Sequence, residues 1–201
     1  MKRLSLILAT VGLMTIISCK SDKKQDAEMQ ESTEVENTEV EVKGQETYSR
    51  EPKEVRVILE AKSGSTAKGS VTFSQEDGVV TMMAVLNGLK EGTHAIHIHE
   101  KSDCSAEDGT STGGHWNPTN QPHGKWGDAA GYHKGDIGNV EANANGNAKT
   151  VLTTDQWCIG CGDPNKDILG RAIIVHEGVD DFKTQPTGDA GGRISCGGII
   201  K

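Results

Sequence analysis

His94-Ala95-Ile96-His97-Ile98-His99 is the stretch on which the fold of this chain turns. In an extended strand successive side chains leave on opposite faces, so His97 and His99 project together on one side while His94, Ile96 and Ile98 project on the other. Two imidazoles side by side can serve one metal ion. A His-x-His pair alone also occurs on exposed strand edges by chance, so its meaning depends on the rest of the chain.

The neighbouring sequence is a series of alternating, β-rich runs. Residues 55–61, 69–75 and 79–86 are separated by Ser63-Gly64-Ser65 and by Glu76-Asp77-Gly78, a tight-turn signal between two strands. Asn87-Gly88 and Glu91-Gly92 lead into the histidine strand. Later runs at 147–154, 171–175 and 196–200, with a hairpin turn expected at Asn145-Gly146, complete an all-β set. With 25 glycines and only 3% aromatic residues, the composition suits short strands and long loops in a sandwich or barrel. From Glu100 to Asn139 there is almost no hydrophobic periodicity. A loop that long inside a compact domain needs an external constraint such as a metal or a disulfide. This one carries donors for both: His115, His123, His133 and Asp136, together with Cys104.

The 201 residues hold one domain plus appendages. Residues 1–18 read as a secretory signal, with Lys2 and Arg3 ahead of an apolar run too short for a comfortable membrane span. Ile16-Ile17-Ser18-Cys19 resembles a bacterial lipobox, which implies cleavage before Cys19 and lipidation of it; several acyl chains on one residue make a stable bilayer anchor. Lys20 in place of an aspartate favours the outer membrane of a bacterial cell envelope, with the protein facing the periplasm or the exterior. Residues 19–52 read as a disordered acidic tether. From Lys20 to Pro52 five basic residues face ten acidic ones, and there is too little apolar surface to offset the entropy of ordering. The alternation Glu39-Val40-Glu41-Val42 would suit an edge strand, but no partner strand is evident. Residues 53–201 form the domain. A chain of net charge −8 is not expected to have a nucleic-acid partner.

His97-Ile98-His99-Glu100, Gly114-His115-Trp116-Asn117-Pro118, His123-Gly124, His133-Lys134-Gly135-Asp136-Ile137-Gly138-Asn139, Val175-His176-Glu177 and Gly191-Gly192-Arg193-Ile194-Ser195-Cys196-Gly197 resemble copper/zinc superoxide dismutase. The resemblance covers essentially all of residues 53–201. It implies an all-β, eight-stranded Greek-key β-barrel, a flattened sandwich with a long metal-binding loop and a shorter electrostatic loop. It also implies a copper site of His97, His99, His115 and His176 and a zinc site of His115, His123, His133 and Asp136. The donor chemistry agrees: imidazoles suit copper, and three nitrogens with a carboxylate close a tetrahedral zinc site. Six of the seven histidines fall on these positions. The seventh, His94, is expected to be buried behind the site and bonded to backbone.

The reaction implied is dismutation of superoxide to dioxygen and hydrogen peroxide, with His115 as a metal bridge that exchanges a proton. The same resemblance makes Asp180 the carboxylate linking His97 to His123, with Asp181 as the competitor. It places Arg193 beside copper as the anion guide, Thr187 as the opposite channel wall, and a Cys104–Cys196 disulfide. The segment 181–186 is short and does not carry the eukaryotic charge pattern; Lys183 is a candidate substitute. Net charge on residues 53–201 is −5, so attraction of an anion must be local. Cys158 and Cys161 have no counterpart in the family; a local disulfide is favoured over two free thiols. A homodimer is left open. A copper or zinc buffer without turnover is the rival reading, and loss of His115, Arg193 or a copper ligand would have favoured it. None is lost.

Overall fold

A computed structural model describes residues 53–201. The signal sequence, Cys19 and the tether lie outside the described residues. Eight strands run in chain order as β1 (Lys53–Ala61), β2 (Lys68–Glu76), β3 (Val79–Asn87), β4 (Gly92–His99), β5 (Gly138–Ala142), β6 (Ala148–Thr154), β7 (Ala172–His176) and β8 (Arg193–Gly198). Every pairing is antiparallel and the spatial order is β5-β4-β7-β8-β1-β2-β3-β6. β5 and β6, the ends of that order, approach each other, so the sheet curls into a nearly closed Greek-key barrel.

The strands form where period-2 alternation meets turn chemistry. β1 buries Val55, Val57 and Leu59 and exposes Glu54, Arg56, Ile58 and Glu60. Val71 and Phe73 of β2 and Val80, Met82, Ala84 and Leu86 of β3 join the same core. The β2–β3 turn places Asp77 and Gly78 at φ 47° and 82°, the two left-handed residues a type I′ hairpin requires. The half of the barrel made by β1, β2, β3 and β6 is therefore one-sided, with its outer face in solvent.

The other half is buried on both faces. All residues of β7 and the last six of β4 are buried. Ile96, Ile98, Ile173 and Val175 face the central core, whereas Ala172 and Ile174 form a second cluster on the outer face with Cys196. What covers that outer face is the long loop after β4. Backbone hydrogen bonds stitch it to the strand end: Trp116 N–H to the Ile98 carbonyl (2.8 Å), Ile98 N–H to the Gly135 carbonyl (2.9 Å), Gly135 N–H to the Trp116 carbonyl (3.0 Å) and Glu100 N–H to the Gly114 carbonyl (3.0 Å). A side chain at Gly135 would collide with the Ile98 carbonyl, so this close approach needs glycine.

Three local expectations change. β5 begins at Gly138, inside the aperiodic stretch; its pattern of Val140 and Ala142 inward is too short to stand out, and pairing with β4 creates it. The turn at Asn145-Gly146 exists and is closed by Gly146 N–H to the Asn143 carbonyl (2.8 Å) and Asn143 N–H to the Asn147 carbonyl (3.0 Å), but the pairing stops there, and β5 and β6 stand at opposite ends of the strand order. β8 covers Arg193–Gly198 rather than 196–200, because register with β7 and β1 extends it upstream, and Ile200 is exposed.

Two disulfides are present. Cys104–Cys196 spans 92 residues with Cα atoms 5.9 Å apart and ties the long loop to β8. Cys158–Cys161 closes a local loop between β6 and β7. In the chain-entropy account, a closed span of 92 residues stabilises the fold by roughly 4–5 kcal/mol. Replacing Cys104 and Cys196 together by Ser should therefore lower the unfolding free energy by several kcal/mol in denaturant titrations. A loss below about 1 kcal/mol would show that hydrogen bonding alone holds the loop.

Candidate metal centre

The outer face of β4 presents His97 and His99, both fully buried beneath the loop. His176 ends β7, the strand paired with β4, and His115 reaches the strand end through an isolated bridge to His99. The ring centroid of His97 lies 4.0 Å from that of His115 and 4.9 Å from that of His176; His99 and His115 are 5.0 Å apart. On the far side of His115 lie His123 at 5.4 Å and His133 at 5.7 Å. Two four-residue donor sets result, His97, His99, His115 and His176, and His115, His123, His133 and Asp136. Within each, one ligand atom per residue lies within 4.8 Å of the others. His115 alone belongs to both.

Five of these six imidazoles have one ring nitrogen held by the protein, and every one of the six keeps a buried nitrogen without a hydrogen-bond partner. His97 Nε2–H and His123 Nε2–H each donate to Asp180, at 2.8 Å to Oδ2 and Oδ1 respectively. His99 Nδ1–H donates to the Gly113 carbonyl (3.0 Å), His176 Nδ1–H to the Gly191 carbonyl (3.3 Å) and His115 Nδ1–H to Asp136 Oδ1 (2.9 Å). The atoms left without a partner are His97 Nδ1, His99 Nε2, His115 Nε2, His176 Nε2, His123 Nδ1 and His133 Nδ1. His123 Nδ1 and His133 Nδ1 make no hydrogen bond but lie 3.0 and 3.2 Å from the Asp136 oxygens, whereas the other four face no partner. A buried polar atom without a partner costs about 1–3 kcal/mol, and ring nitrogens gathered this way, four on one side and a carboxylate-centred group on the other, are the signature of cation sites. The donor set fits: the first group is all nitrogen, the second three nitrogens and a carboxylate.

The electrostatics divide the centre in two. Burial and the neighbouring imidazoles lower His99 well below the usual histidine range, and the same causes put His176 at about 3. Burial lowers His115 to about 4 against the pull of Asp136. These rings are neutral at pH 7, with lone pairs available. For His123, burial acts downward but the carboxylates of Asp136 and Asp180 outweigh it and raise the ring to about 9. Asp136 is itself held well below the usual carboxylate range, because contacts to His115, His123 and His133 overcome the effect of burial. Its Oδ2 also accepts N–H bonds from Gly124 (3.1 Å) and His133 (2.8 Å).

Asp180, not Asp181, spans the two sets; Asp181 turns outward and accepts from Thr184. His94 is buried behind the centre, its Nδ1 2.9 Å from the His176 carbonyl and its Nε2 2.9 Å from the Lys90 carbonyl. Arg193 opens β8 half-buried, its Nη1 donating to the Gly109 carbonyl and to Thr112 Oγ1, both at 2.9 Å, and its charge is felt by both His99 and His176. Thr187 is half-buried and, among the described residues, makes no hydrogen bond to either set; Lys183 is exposed.

Sequence reasoning missed several supports. Asn139 holds Asp180 on both sides, donating from Nδ2 to the Asp180 carbonyl and accepting its N–H at Oδ1, each at 2.9 Å. Gln185 brackets His123 in the same way, through its N–H (2.8 Å) and carbonyl (2.9 Å). Gly188, at φ 69°, leaves room where a Cβ would strike Asp180 and His123. No local pattern marks these residues, since each acts across many positions of sequence.

Residues 67–199 match the family described as copper/zinc superoxide dismutase. Among solved structures, a SOD-like protein from Bacillus subtilis is 33% identical over 72% of this chain and 97% of its own, with a TM-score of 0.64. A double variant of that protein with two histidines introduced gives 33% identity over 73% and 97%, TM-score 0.63, and a single proline-to-histidine variant 32% over the same shares, TM-score 0.64. Fold, donor geometry and family match agree, and the chain belongs to the copper/zinc superoxide dismutase family.

Proposed function

We propose that this protein dismutates superoxide to dioxygen and hydrogen peroxide, with copper held by His97, His99, His115 and His176 and zinc by His115, His123, His133 and Asp136. The observation that carries the reading is the set of six buried ring nitrogens that make no hydrogen bond, two of them facing Asp136, with His115 shared between the two groups. A buffer on the same fold would need the donors but not Arg193, whose charge acts on His99 and His176 of the first group.

When bound, copper supplies the one-electron redox cycle and zinc, which has no redox chemistry, fixes the shared ligand. The chain's own residues do the rest. Asp180 locks the Nε2–H tautomers of His97 and His123, so each offers Nδ1 to the centre. His115 would offer Nε2 to the first group and, on giving up the hydrogen bond to Asp136, Nδ1 to the second; Nε2 is the atom at which a proton can be held and then given to the reduced substrate. Arg193 offers a fixed positive charge to an incoming anion, its Nη1 anchored by the Gly109 carbonyl and Thr112 Oγ1. At physiological salt the screening length is about 8 Å, so distant carboxylates on the acidic surface are muted and Arg193 is not. The deciding experiment is metal content and superoxide consumption measured on the same metal-loaded sample.

For the N-terminal region we infer, from the lipobox pattern alone, an exported lipoprotein anchored through Cys19, with the outer membrane favoured. Detergent partitioning and the mass of the mature N-terminus check this; a mature species with an unmodified Cys19 would refute it.

Two outcomes follow for the centre itself. Arg193→Ala should lower activity by about tenfold or more with both metals retained, Arg193→Lys should recover part of the loss, and the wild-type rate should fall with ionic strength. Full activity in Arg193→Ala would remove this residue from the reaction. The second concerns pH. In the metal-free protein His123 is protonated below about 9, so zinc must displace a proton throughout the neutral range and its affinity should fall about tenfold per pH unit. His115 and His176 take up protons only near 4 and 3. On stepwise acidification, metal analysis should therefore find zinc leaving before copper; simultaneous loss would contradict the division of the centre.

A further inference from the structure

One more group of metal-capable side chains converges away from the histidines. Cys158 Sγ, Cys161 Sγ and a carboxylate oxygen of Asp167 lie within 4.8 Å of one another in the loop between β6 and β7. Here the two cysteines are joined as a disulfide. We propose that, once this disulfide is reduced, Cys158, Cys161 and Asp167 form a separate binding site for one soft, monovalent copper ion.

The loop is held in place without help from the disulfide. Cys158 N–H bonds to the Lys166 carbonyl (2.8 Å), Ile168 N–H to the Cys158 carbonyl (3.1 Å), and Ile159 N–H to Gln75 Oε1 on β2 (2.7 Å). Asp167 gathers three further amides: Gly160 and Leu169 on Oδ1 at 2.9 and 3.1 Å, and Gly162 on Oδ2 at 2.9 Å. Opening the S–S bond therefore leaves two thiols on a framed backbone, at the C-x-x-C spacing that brings both to one ion. The N–H of Asp163 already points at Cys161 Sγ from 3.5 Å, a donor that favours thiolate there. Lys53 Nζ donates to the Ile159 carbonyl (3.0 Å), and the Lys201 side chain lies against Gly160. Both lysines set positive charge beside an otherwise anionic donor set.

The donors select the ion. A structural zinc site takes four protein ligands, and among the described residues no fourth converges on these three. Two thiolates with a weak third donor suit copper(I), which soft sulfur ligands prefer and which tolerates low coordination. Access favours this bond for opening: Cys161 is exposed with Cys158 buried behind it, whereas in the other disulfide Cys104 is only partly exposed and Cys196 is 1% exposed. A thiol reductant attacks Cys161 Sγ and displaces the Cys158 thiolate; a second equivalent completes the exchange, so two reductant thiols become one disulfide as Cys158–Cys161 becomes two thiols. Copper(I) then replaces both thiol protons, and the copper itself undergoes no change of oxidation state.

The test uses the full chain with its histidine sites already filled by copper and zinc. After mild thiol reduction, with peptide mapping to follow both disulfides, copper(I) is titrated against a competing copper(I) chelator. One additional equivalent per chain, with thiolate-to-copper absorption in the ultraviolet, is expected. It should be absent before reduction and absent in the Cys158→Ser/Cys161→Ser variant. Asp167→Asn, which leaves both thiols in place, should weaken retention against the chelator by about tenfold. An extra equivalent that survives in the double-serine variant, no extra equivalent in reduced wild-type protein, or uptake of zinc in place of copper(I) would each overturn the proposal.

Discussion

The buried carboxylate of Asp180 is the contact on which the centre depends. Each of its oxygens takes one imidazole N–H, from His97 on β4 and from His123 on the long loop, and so couples a rigid strand to an aperiodic segment. Without it, nothing in the local chain would fix which nitrogen of either ring faces the centre. Asn139 at the start of β5 holds the backbone of Asp180 through its N–H and carbonyl, while the carboxylate itself accepts the Phe182 amide N–H and occupies the space that Gly188 leaves open. Orientation of the donors is thus a property of four separate chain segments meeting at one residue.

The barrel makes this meeting rigid. β4 and β7 are buried on both faces, so the face that carries His97 and His99 is a packed surface rather than a solvated one. The loop that covers it is ordered by backbone bonds to Ile98 and by the covalent tie of Cys104 to Cys196. In return the loop supplies His115, His123, His133 and Asp136. Fold and donor set are mutually dependent: the loop needs the strand for its hydrogen bonds, and the strand needs the loop to exclude water from its histidines.

Charge is distributed to match. The domain is acidic, yet the charge of Arg193 acts on His99 and His176 and helps to keep both rings neutral. Its guanidinium is anchored on the Gly109 carbonyl and the Thr112 hydroxyl, beside the short 3₁₀ turn Thr110–Thr112, whose segment the disulfide also constrains. The negative charge of Asp136 is spent inside the second donor group, where three imidazoles and two backbone amides surround it.

The amino-acid sequence alone determined the β-rich alternation of β1, β2 and β3, the hairpin at Asp77-Gly78 and the side-by-side placement of His97 and His99, because these follow from period-2 geometry and local turn chemistry. It also showed that an aperiodic loop rich in histidine needed an external constraint, and its motifs named the family. Tertiary structure decided what local pattern could not encode. β5 is a strand only because β4 offers a partner, and β8 starts at Arg193 because register with its neighbours places it there. The choice of Asp180 over Asp181, the brackets made by Asn139 and Gln185, and Asp167 as a third donor beside Cys158 and Cys161 all depend on contacts across the fold. The physical reason is common to them: hydrogen-bond direction and burial are set by which distant segments pack together, and a side chain carries no mark of its partner until the chain has closed around it.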